Sequence, residues 1–97
     1  MSLPVAFHRA ASAEFAEAGA WYEHKREGLG NAFIAEIERC AEVAAENPLR
    51  CAIAYGDVRS VVARRFPYSV FFRLEDRRIV VLGVFHSRRD PAIWRRR

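Results

Sequence analysis

The spacing of apolar residues changes near residue 48, and this change constrains the fold more than any other feature of the sequence. Before it, apolar residues recur every three or four positions, as in amphipathic helices. After it, runs rich in β-branched and aromatic residues alternate with turn residues, as in strands. Asn47-Pro48 lies at the boundary, and the residue before a proline is disfavoured in helical conformation. The sequence therefore predicts a helical half followed by a sheet-forming half.

The N-terminal half predicts two helices. The first is expected over residues 12–26, with Ser12 as its N-cap, and the second over residues 30–46. Gly28-Leu29-Gly30 separates them, and so short a connection makes the pair an antiparallel hairpin. Residues 5–8 alternate weakly and are expected to form a short edge strand.

The C-terminal half predicts an antiparallel meander with strands over residues 58–66, 68–74 and 79–85. The last run is apolar on both faces, which favours a strand with neighbours on both sides. The predicted fold is α+β, an N-terminal antiparallel helical hairpin packed on a three- to four-stranded antiparallel sheet. Because single domains cluster near this length, residues 1–97 are expected to form one domain.

Charge is distributed unevenly along the chain. Residues 1–48 contain four basic residues and eight glutamates, whereas residues 49–97 contain twelve arginines and four acids. Fifteen of the sixteen basic residues are arginine, whose planar guanidinium suits bidentate contact with phosphate or carboxylate. The asymmetry indicates an anionic partner for the C-terminal half. General use of arginine in place of lysine explains the arginine preference, but not its placement.

Several classes of protein are not expected from this composition. Two cysteines, Cys40 and Cys51, are too few for a secreted disulfide framework and are predicted to be small buried residues. The N-terminus lacks a signal-peptide pattern, and the longest apolar run is too short for a membrane span. No metal-ligand spacing or phosphate loop occurs, so no cofactor and no membrane partner are expected, and the cytoplasm is the predicted compartment.

The candidate functional residues cluster at predicted strand ends. Arg64-Arg65 precede one strand and Arg88-Arg89 follow another, so a meander brings the two pairs together. Such a cluster suits phosphate or the carboxylates of a partner, although a solvated rim is an equally simple reading. His86 at the same strand end could act as a general base in RNA cleavage, or form local hydrogen bonds only. Trp94 in the tail could stack on a base, anchor a partner, or cover the core.

The order of these motifs resembles the RelE/ParE superfamily of toxins from type II toxin–antitoxin, or plasmid stabilisation, systems, and the resemblance is closer to the ParE branch. It covers nearly the whole chain. The segments that carry it are Glu14, Ala18, Trp21-Tyr22-Glu23, Gly28-Leu29-Gly30, Phe33, Glu36-Ile37, Asn47-Pro48, Arg64 to Phe72, Val81 to His86, Arg88-Arg89-Asp90-Pro91 and Trp94.

The resemblance implies a toxin that is neutralised by a cognate acidic antitoxin, as a toxin–antitoxin hetero-oligomer or with a toxin homodimer. ParE-like members inhibit DNA gyrase and are not enzymes; Arg64, Arg65, Arg88, Arg89 and Trp94 would then bind the target. RelE-like members cleave mRNA on the ribosome; His86, Arg65 and Arg88 would then be catalytic. A non-toxic, partner-binding remnant is the third reading.

Certain positions depart from the nuclease pattern. RelE-type nucleases carry basic side chains along the strand before the aromatic segment, where this chain has Ser60 and Val62. They carry an arginine directly after the tyrosine of that segment, where this chain has Ser69, and a tail tyrosine that Trp94 replaces. His86 is similar to a histidine of many ParE-like sequences. The resemblance therefore favours a gyrase inhibitor.

Overall fold

In a computed structural model, two helices pack on one face of a five-stranded sheet. The structure describes residues 2–90, 92–95 and 97, and of Trp94 it describes the backbone only. The elements, in chain order, are β1 (Val5–Phe7), α1 (Arg9–Lys25), α2 (Leu29–Glu46), β2 (Ala52–Tyr55), β3 (Val58–Val62), β4 (Tyr68–Glu75), β5 (Arg78–His86) and α3 (Ala92–Arg95), with a short 3-10 turn at Pro48–Arg50. The predicted α+β fold, with its helical hairpin, is confirmed.

Helix α1 begins earlier than the sequence predicts. Its N-cap is His8, whose Nδ1 accepts a hydrogen bond from the amide of Ala10, so Ser12 is not the cap. A ring nitrogen can satisfy an unpaired amide in the first turn just as a hydroxyl can. The cap follows β1 directly, because the amide of His8 itself donates to the carbonyl of Val81 in β5.

The two helices are joined by a tight turn with its own cap. The carboxylate of Glu23 accepts hydrogen bonds from the amides of Gly28 and Gly30, which satisfies donors at the start of α2. Gly28 has a φ of 86°, a left-handed conformation that costs glycine little. A Cβ at Gly30 would lie 2.6 Å from the carbonyl oxygen of Gly19, so only glycine permits this approach of α1 and α2.

The helices bury an aromatic cluster against the sheet. Phe33 of α2 is fully buried, and its ring lies 5.1 Å from Tyr22, 5.3 Å from Phe66 and 4.9 Å from Tyr68. Rings at such distances, stacked for Tyr22 and edge-on for Phe66 and Tyr68, add to the free energy gained by burial, by about 0.5–1.5 kcal/mol for each pair. The cluster fixes the hairpin over the strand ends where the candidate residues lie.

The sheet has the order β1-β5-β4-β3-β2, with β1 parallel to β5 and all other neighbours antiparallel. One strand more is present than the sequence predicts, because β2 was missed. Its residues, Ala52–Tyr55, are all exposed and show no alternation that indicates a strand. The hairpin between β4 and β5 turns through Asp76 and Arg77, both at positive φ, as a two-residue type I′ turn requires.

Strand β5 contains a bulge that reverses its side-chain alternation. Phe72 pairs with Val81 and Phe71 pairs with Gly83, so Leu82 has no partner residue in β4. As a result, Val81 and Val84 both pack in the core under the helices, while Leu82 packs with Phe85 in a second buried cluster. Neither long helix in the described chain is apolar enough to cross a membrane.

Candidate functional site at the arginine-rich end of the sheet

Two segments that carry arginine pairs meet at one end of the sheet. The amide of Ser87, after β5, donates to the carbonyl of Pro67, before β4, over 2.8 Å, and Tyr68 pairs with His86 in the ladder. The expected meeting of the two pairs is therefore present. We call Arg64, Arg65, Arg88 and Arg89 together the arginine surface.

The loop before β4 holds its arginines in a fixed shape. The amide of Ala63 donates to the carbonyl of Tyr68, and the amide of Tyr68 donates to the carbonyl of Phe66. Between them Arg65 has a φ of 70°, a left-handed conformation that costs a non-glycine residue of order 1–3 kcal/mol. Its guanidinium lies 5.5 Å from the centre of the Phe66 ring, within range of a cation–π contact.

Glu36 of α2 anchors this loop to the helices. Its carboxylate accepts a 2.6 Å hydrogen bond from the amide of Arg64 and forms a two-pronged ion pair with Arg39, one turn along the helix. The hydrogen bond from Arg39, followed by the amide of Arg64, lowers the pKa of Glu36 to about 2 against the opposing effect of burial. The contact uses the backbone amide of Arg64 and does not involve its guanidinium.

Both side chains of the second arginine pair are exposed, but contacts restrain only Arg89. Arg89 stacks 4.2 Å above the Phe85 ring and forms a 3.2 Å ion pair with Glu14 of α1. Arg88 is exposed, and within the described chain its guanidinium forms no ion pair. The same holds for Arg64 and Arg65, so three of the four arginines of this surface present unpaired charge to solvent.

His86 ends β5 at the centre of this region. Its Nδ1 accepts a hydrogen bond from the amide of Arg88, and its ring lies 5.3 Å from that of Tyr68. Burial, followed by neighbouring Tyr22, raises the pKa of the Tyr68 hydroxyl, so this phenol is protonated at neutral pH. The predicted trio of His86, Arg65 and Arg88 therefore shares one end of the sheet. Only His86 Nε2 is left for acid–base chemistry, because the turn occupies Nδ1.

Glu14 was missed as a site residue, although it links three parts of the molecule. Its carboxylate accepts hydrogen bonds from the amide of Val84 at 3.1 Å, from Arg89 at 3.2 Å and from Arg97 at 2.8 Å. Arg97 also donates to the carbonyl of Leu82 at 2.7 Å. Glu14 and Arg97 therefore form hydrogen bonds with the backbone of β5 at Val84 and Leu82, beyond the point where its pairing with β1 ends. The signal was a glutamate on the buried stripe of α1, between Ala11 and Ala18.

Two arginines of the C-terminal tail contact the rest of the protein. Besides the contacts of Arg97, the guanidinium of Arg95 lies 4.0 Å from the ring centre of Tyr55 on β2. The side chain of Trp94, predicted to contact the target, lies outside the described residues, as does Arg96 in the same basic triplet. Cys40 is buried, as predicted, whereas Cys51 is only half-buried, and both thiols are free.

A groove of about 430 Å³ runs beside the arginine surface, between α1 and the ends of β4 and β5. Its lining combines three aromatic rings with small aliphatic and charged side chains, namely Glu14, Glu17, Ala18, Trp21, Tyr22, Tyr68, Val84, His86 and Arg89. Among the described residues, no group of histidine, cysteine and acidic side chains could hold a metal ion.

Residues 5–91 match the family described as the ParE toxin of the type II toxin–antitoxin system parDE. The chain belongs to this family. The ParE toxin family match spans both the hairpin and the arginine surface, and the protein is accordingly a toxin of the ParE/RelE superfamily. Among curated proteins none matches this sequence.

Two solved structures share the fold of this ParE-family toxin. One, of the chromosomal ParDE toxin–antitoxin system from P. aeruginosa, has a TM-score of 0.75 and 17% identity, and the match covers 88% of this chain and 96% of the other. The second, the RelBE2 toxin–antitoxin complex from Mycobacterium tuberculosis, has a TM-score of 0.59 and 23% identity, covering 89% and 99%. At such low identity these structures bear on the fold alone.

Proposed function

We propose that this ParE-family toxin arrests growth by binding DNA gyrase through the arginine surface and Trp94, and that it catalyses no reaction. A cognate acidic antitoxin neutralises it in the cytoplasm. The observation that carries the proposal is the arginine surface itself. There Arg64, Arg65 and Arg88 are exposed and form no ion pair with any described residue, on a loop and a turn held in place by backbone hydrogen bonds. Charged groups that are already positioned lose little freedom on binding.

The outer sheet face gives further support for binding over catalysis. Val62 pairs with Ser69 and Ser60 pairs with Phe71, on the strands where RelE-type nucleases carry basic side chains. Ser60 and Val62 carry no charge, so these two positions cannot help to stabilise a pentavalent phosphate during cleavage of RNA. Two exposed arginine pairs, Arg64-Arg65 and Arg88-Arg89, lie instead at the end of the sheet.

The experiment compares two assays with the same purified protein. We expect inhibition of DNA supercoiling by purified gyrase, and no cleavage of translated mRNA in primer extension. Cleavage at codons in the ribosome with gyrase unaffected would replace the proposal with the nuclease reading. In that case His86, Arg65 and Arg88, which share one end of the sheet, would be the catalytic residues. Growth unaffected by strong expression would indicate a non-toxic remnant.

Arg88 provides the sharpest single test of the surface. We expect Arg88→Ala to weaken gyrase inhibition about tenfold or more, because an exposed arginine that binds a carboxylate or phosphate can be an energetic hot spot. Its circular dichroism spectrum should equal that of the wild type, since the guanidinium makes no ion pair in the described chain. Arg78→Ala, an equally exposed arginine at the opposite end of β5, is the matched control. A loss of folded signal in Arg88→Ala would make Arg88 a structural residue.

A further inference from the structure

The two edges of the sheet differ in how they are protected against pairing with another chain. An edge strand leaves amide and carbonyl groups unpaired along one side, and proteins shield such edges with charges, prolines, bulges or covering elements. The edges of this sheet are β1 and β2. Their residues and surroundings show which of the two is open.

Strand β1 is short and shielded. It has three residues, and Pro4, which has no amide hydrogen to donate, precedes it. A groove of about 610 Å³ lies between β1 and the helices, and Glu38 and Glu42 of α2 contribute to its lining. Two copies joined at this edge would bring like charges together. Pairing of β1 with a second copy is therefore disfavoured.

Strand β2 has less protection within its own four residues. Ala52–Tyr55 contains no charged side chain and no proline, and all of it is exposed, Ile53 by 65%. Leu49, just before the strand, is 71% exposed. A register shift against β3 between Ile53 and Tyr55 shortens the regular part of the edge without covering it. Exposed aliphatic side chains on an uncharged edge are typical of strands that pair with another chain.

The start of β2 is also held in position. Arg59 of β3 lies opposite Ile53, and its guanidinium donates to the carbonyl of Cys51 at 2.8 Å and to that of Leu49 at 3.3 Å. These bonds tie the turn at Pro48–Arg50 to the sheet. An edge whose backbone is already extended and fixed loses little conformational freedom when a second strand pairs with it.

The charges that flank β2 favour an identical partner. Arg50 lies three residues before Ile53, and Asp57 lies four residues after it. When two β2 strands pair antiparallel about a twofold axis, Arg50 of each copy comes near Asp57 of the other. Asp57 pairs with Arg73 but stays 73% exposed, and Arg50 forms no ion pair with any described residue. The edge is therefore complementary to itself, with two ion pairs across the axis.

We propose that two copies of this chain associate through antiparallel pairing of their β2 strands, which joins two five-stranded sheets into one. So short a ladder buries little surface, and interfaces below about 1,200 Å² are weak. The dimer therefore forms only at high concentration of the protein. The inference depends neither on the target nor on the antitoxin.

The arrangement leaves the arginine surface of each copy uncovered. Ala52 pairs with Ser60, so β2 begins near the end of β3 that leads to Arg64. A twofold axis through the paired β2 strands therefore places the two arginine surfaces at opposite ends of the joined sheet. The dimer presents two target-binding surfaces that point in opposite directions.

The test is sedimentation velocity of the purified full chain over a wide range of concentration. We expect the average mass of the wild type to rise from that of one chain towards that of two. Ile53→Lys should stay monomeric, because it places a charge in the middle of the edge and opposite the same charge of the second copy. Val5→Lys, the matched change on β1, should associate like the wild type. Circular dichroism confirms that each variant is folded.

Charge reversal tests the antiparallel arrangement. Arg50→Asp and Asp57→Arg should each weaken association about tenfold, because symmetry turns two attractive pairs into two repulsive ones. The double variant should recover association close to that of the wild type, since its pairs are attractive again. A double variant no stronger than either single variant would overturn the antiparallel pairing.

The remaining outcomes separate this inference from the proposed function. A wild type that stays monomeric at every concentration overturns the dimer, and so does association that Val5→Lys abolishes and Ile53→Lys does not. A monomeric wild type whose affinity for its antitoxin falls in Ile53→Lys would assign the β2 edge to the antitoxin instead. Ile53→Lys should inhibit gyrase as the wild type does, because its arginine surface is unchanged. A wild type that dimerises but does not inhibit gyrase would overturn the proposed function alone.

Discussion

Glu14 and Glu36 both connect the helical hairpin to the sheet, but they join different parts of the chain. Glu36 pairs with Arg39, three residues away, and holds the loop at Arg64 through its amide. Glu14 has partners 70, 75 and 83 residues away, at Val84, Arg89 and Arg97. One carboxylate thus shapes a single loop, whereas the other ties the first helix to the end of the sheet and to the tail.

The largest effect is expected from Glu14→Ala. It leaves the amide of Val84 without its acceptor and two arginines without their counter-ion, and the side chains of Glu14 and Arg97 are only 12% and 13% exposed. We expect a loss of about 2–4 kcal/mol in the free energy of unfolding, measured by urea denaturation. Glu14→Gln should lose less, because its amide oxygen still accepts from Val84. A Glu14→Ala midpoint equal to that of the wild type would show that solvent replaces these contacts at no cost.

A smaller effect, dependent on pH, is expected from Glu36→Gln. The folded pKa of Glu36 is lowered to about 2 from a usual 4.5, so its ionised form stabilises the fold above pH 4.5. That contribution decreases as pH falls from 4.5 towards 2. Since Arg39 is partly exposed, solvent screening reduces it to about 1–2 kcal/mol at neutral pH.

The measurement for Glu36 is urea denaturation of wild type and Glu36→Gln between pH 2.5 and 7. The difference between the two should shrink towards acidic pH. A constant difference over this range would mean that the carboxylate stabilises the loop without its charge.

The smallest effect concerns the thiol beside Glu36. Burial, followed by the negative charge of Glu36, raises the pKa of Cys40 to about 11. Glu36→Gln should therefore lower this pKa and speed alkylation of Cys40 by iodoacetamide about two- to fivefold, since the thiolate is the reactive form. Glu14→Gln, on the other helix, keeps the charge of Glu36 and should therefore leave the pKa of Cys40, taken from the pH dependence of alkylation, unchanged. Equal acceleration in both variants would indicate general loosening of the core rather than a local charge effect.

Most of the fold could be predicted because its signals are repetitive. The stripe that contains Phe33, Ile37 and Cys40 recurs at helical spacing, and all three are fully buried. The apolar run of β5 is buried on both faces as predicted. Strand β2 could not be found, because an exposed edge strand of Ala52–Tyr55 buries nothing that would leave a pattern. The bulge at Leu82 could not be predicted either, because the surrounding run has no polar residues whose alternation would show a change of face.

The candidate site was predicted in part for a similar reason. Arginine pairs at strand ends are visible in the sequence, and a meander topology brings them together without further information. The sequence does not show which guanidiniums form ion pairs. Arg89 and Arg97 both pair with Glu14, which lies on a helix more than 70 residues away. The exposure of Trp21 depends on how α1 rotates against the sheet, and the adjacent Tyr22 could equally have faced outward.

The pairing of β1 with β5 makes folding depend on the order in which the chain is synthesised. Among the described residues, the ladder partners of β1 are Ile79 to Val81, so the first strand of the chain can pair only after the fifth has been synthesised. Contacts so distant in sequence slow folding and delay it until late in synthesis. A ribosome that stops before Ile79 therefore releases a fragment in which β1 has no partner strand and the arginine surface lacks Arg88 and Arg89.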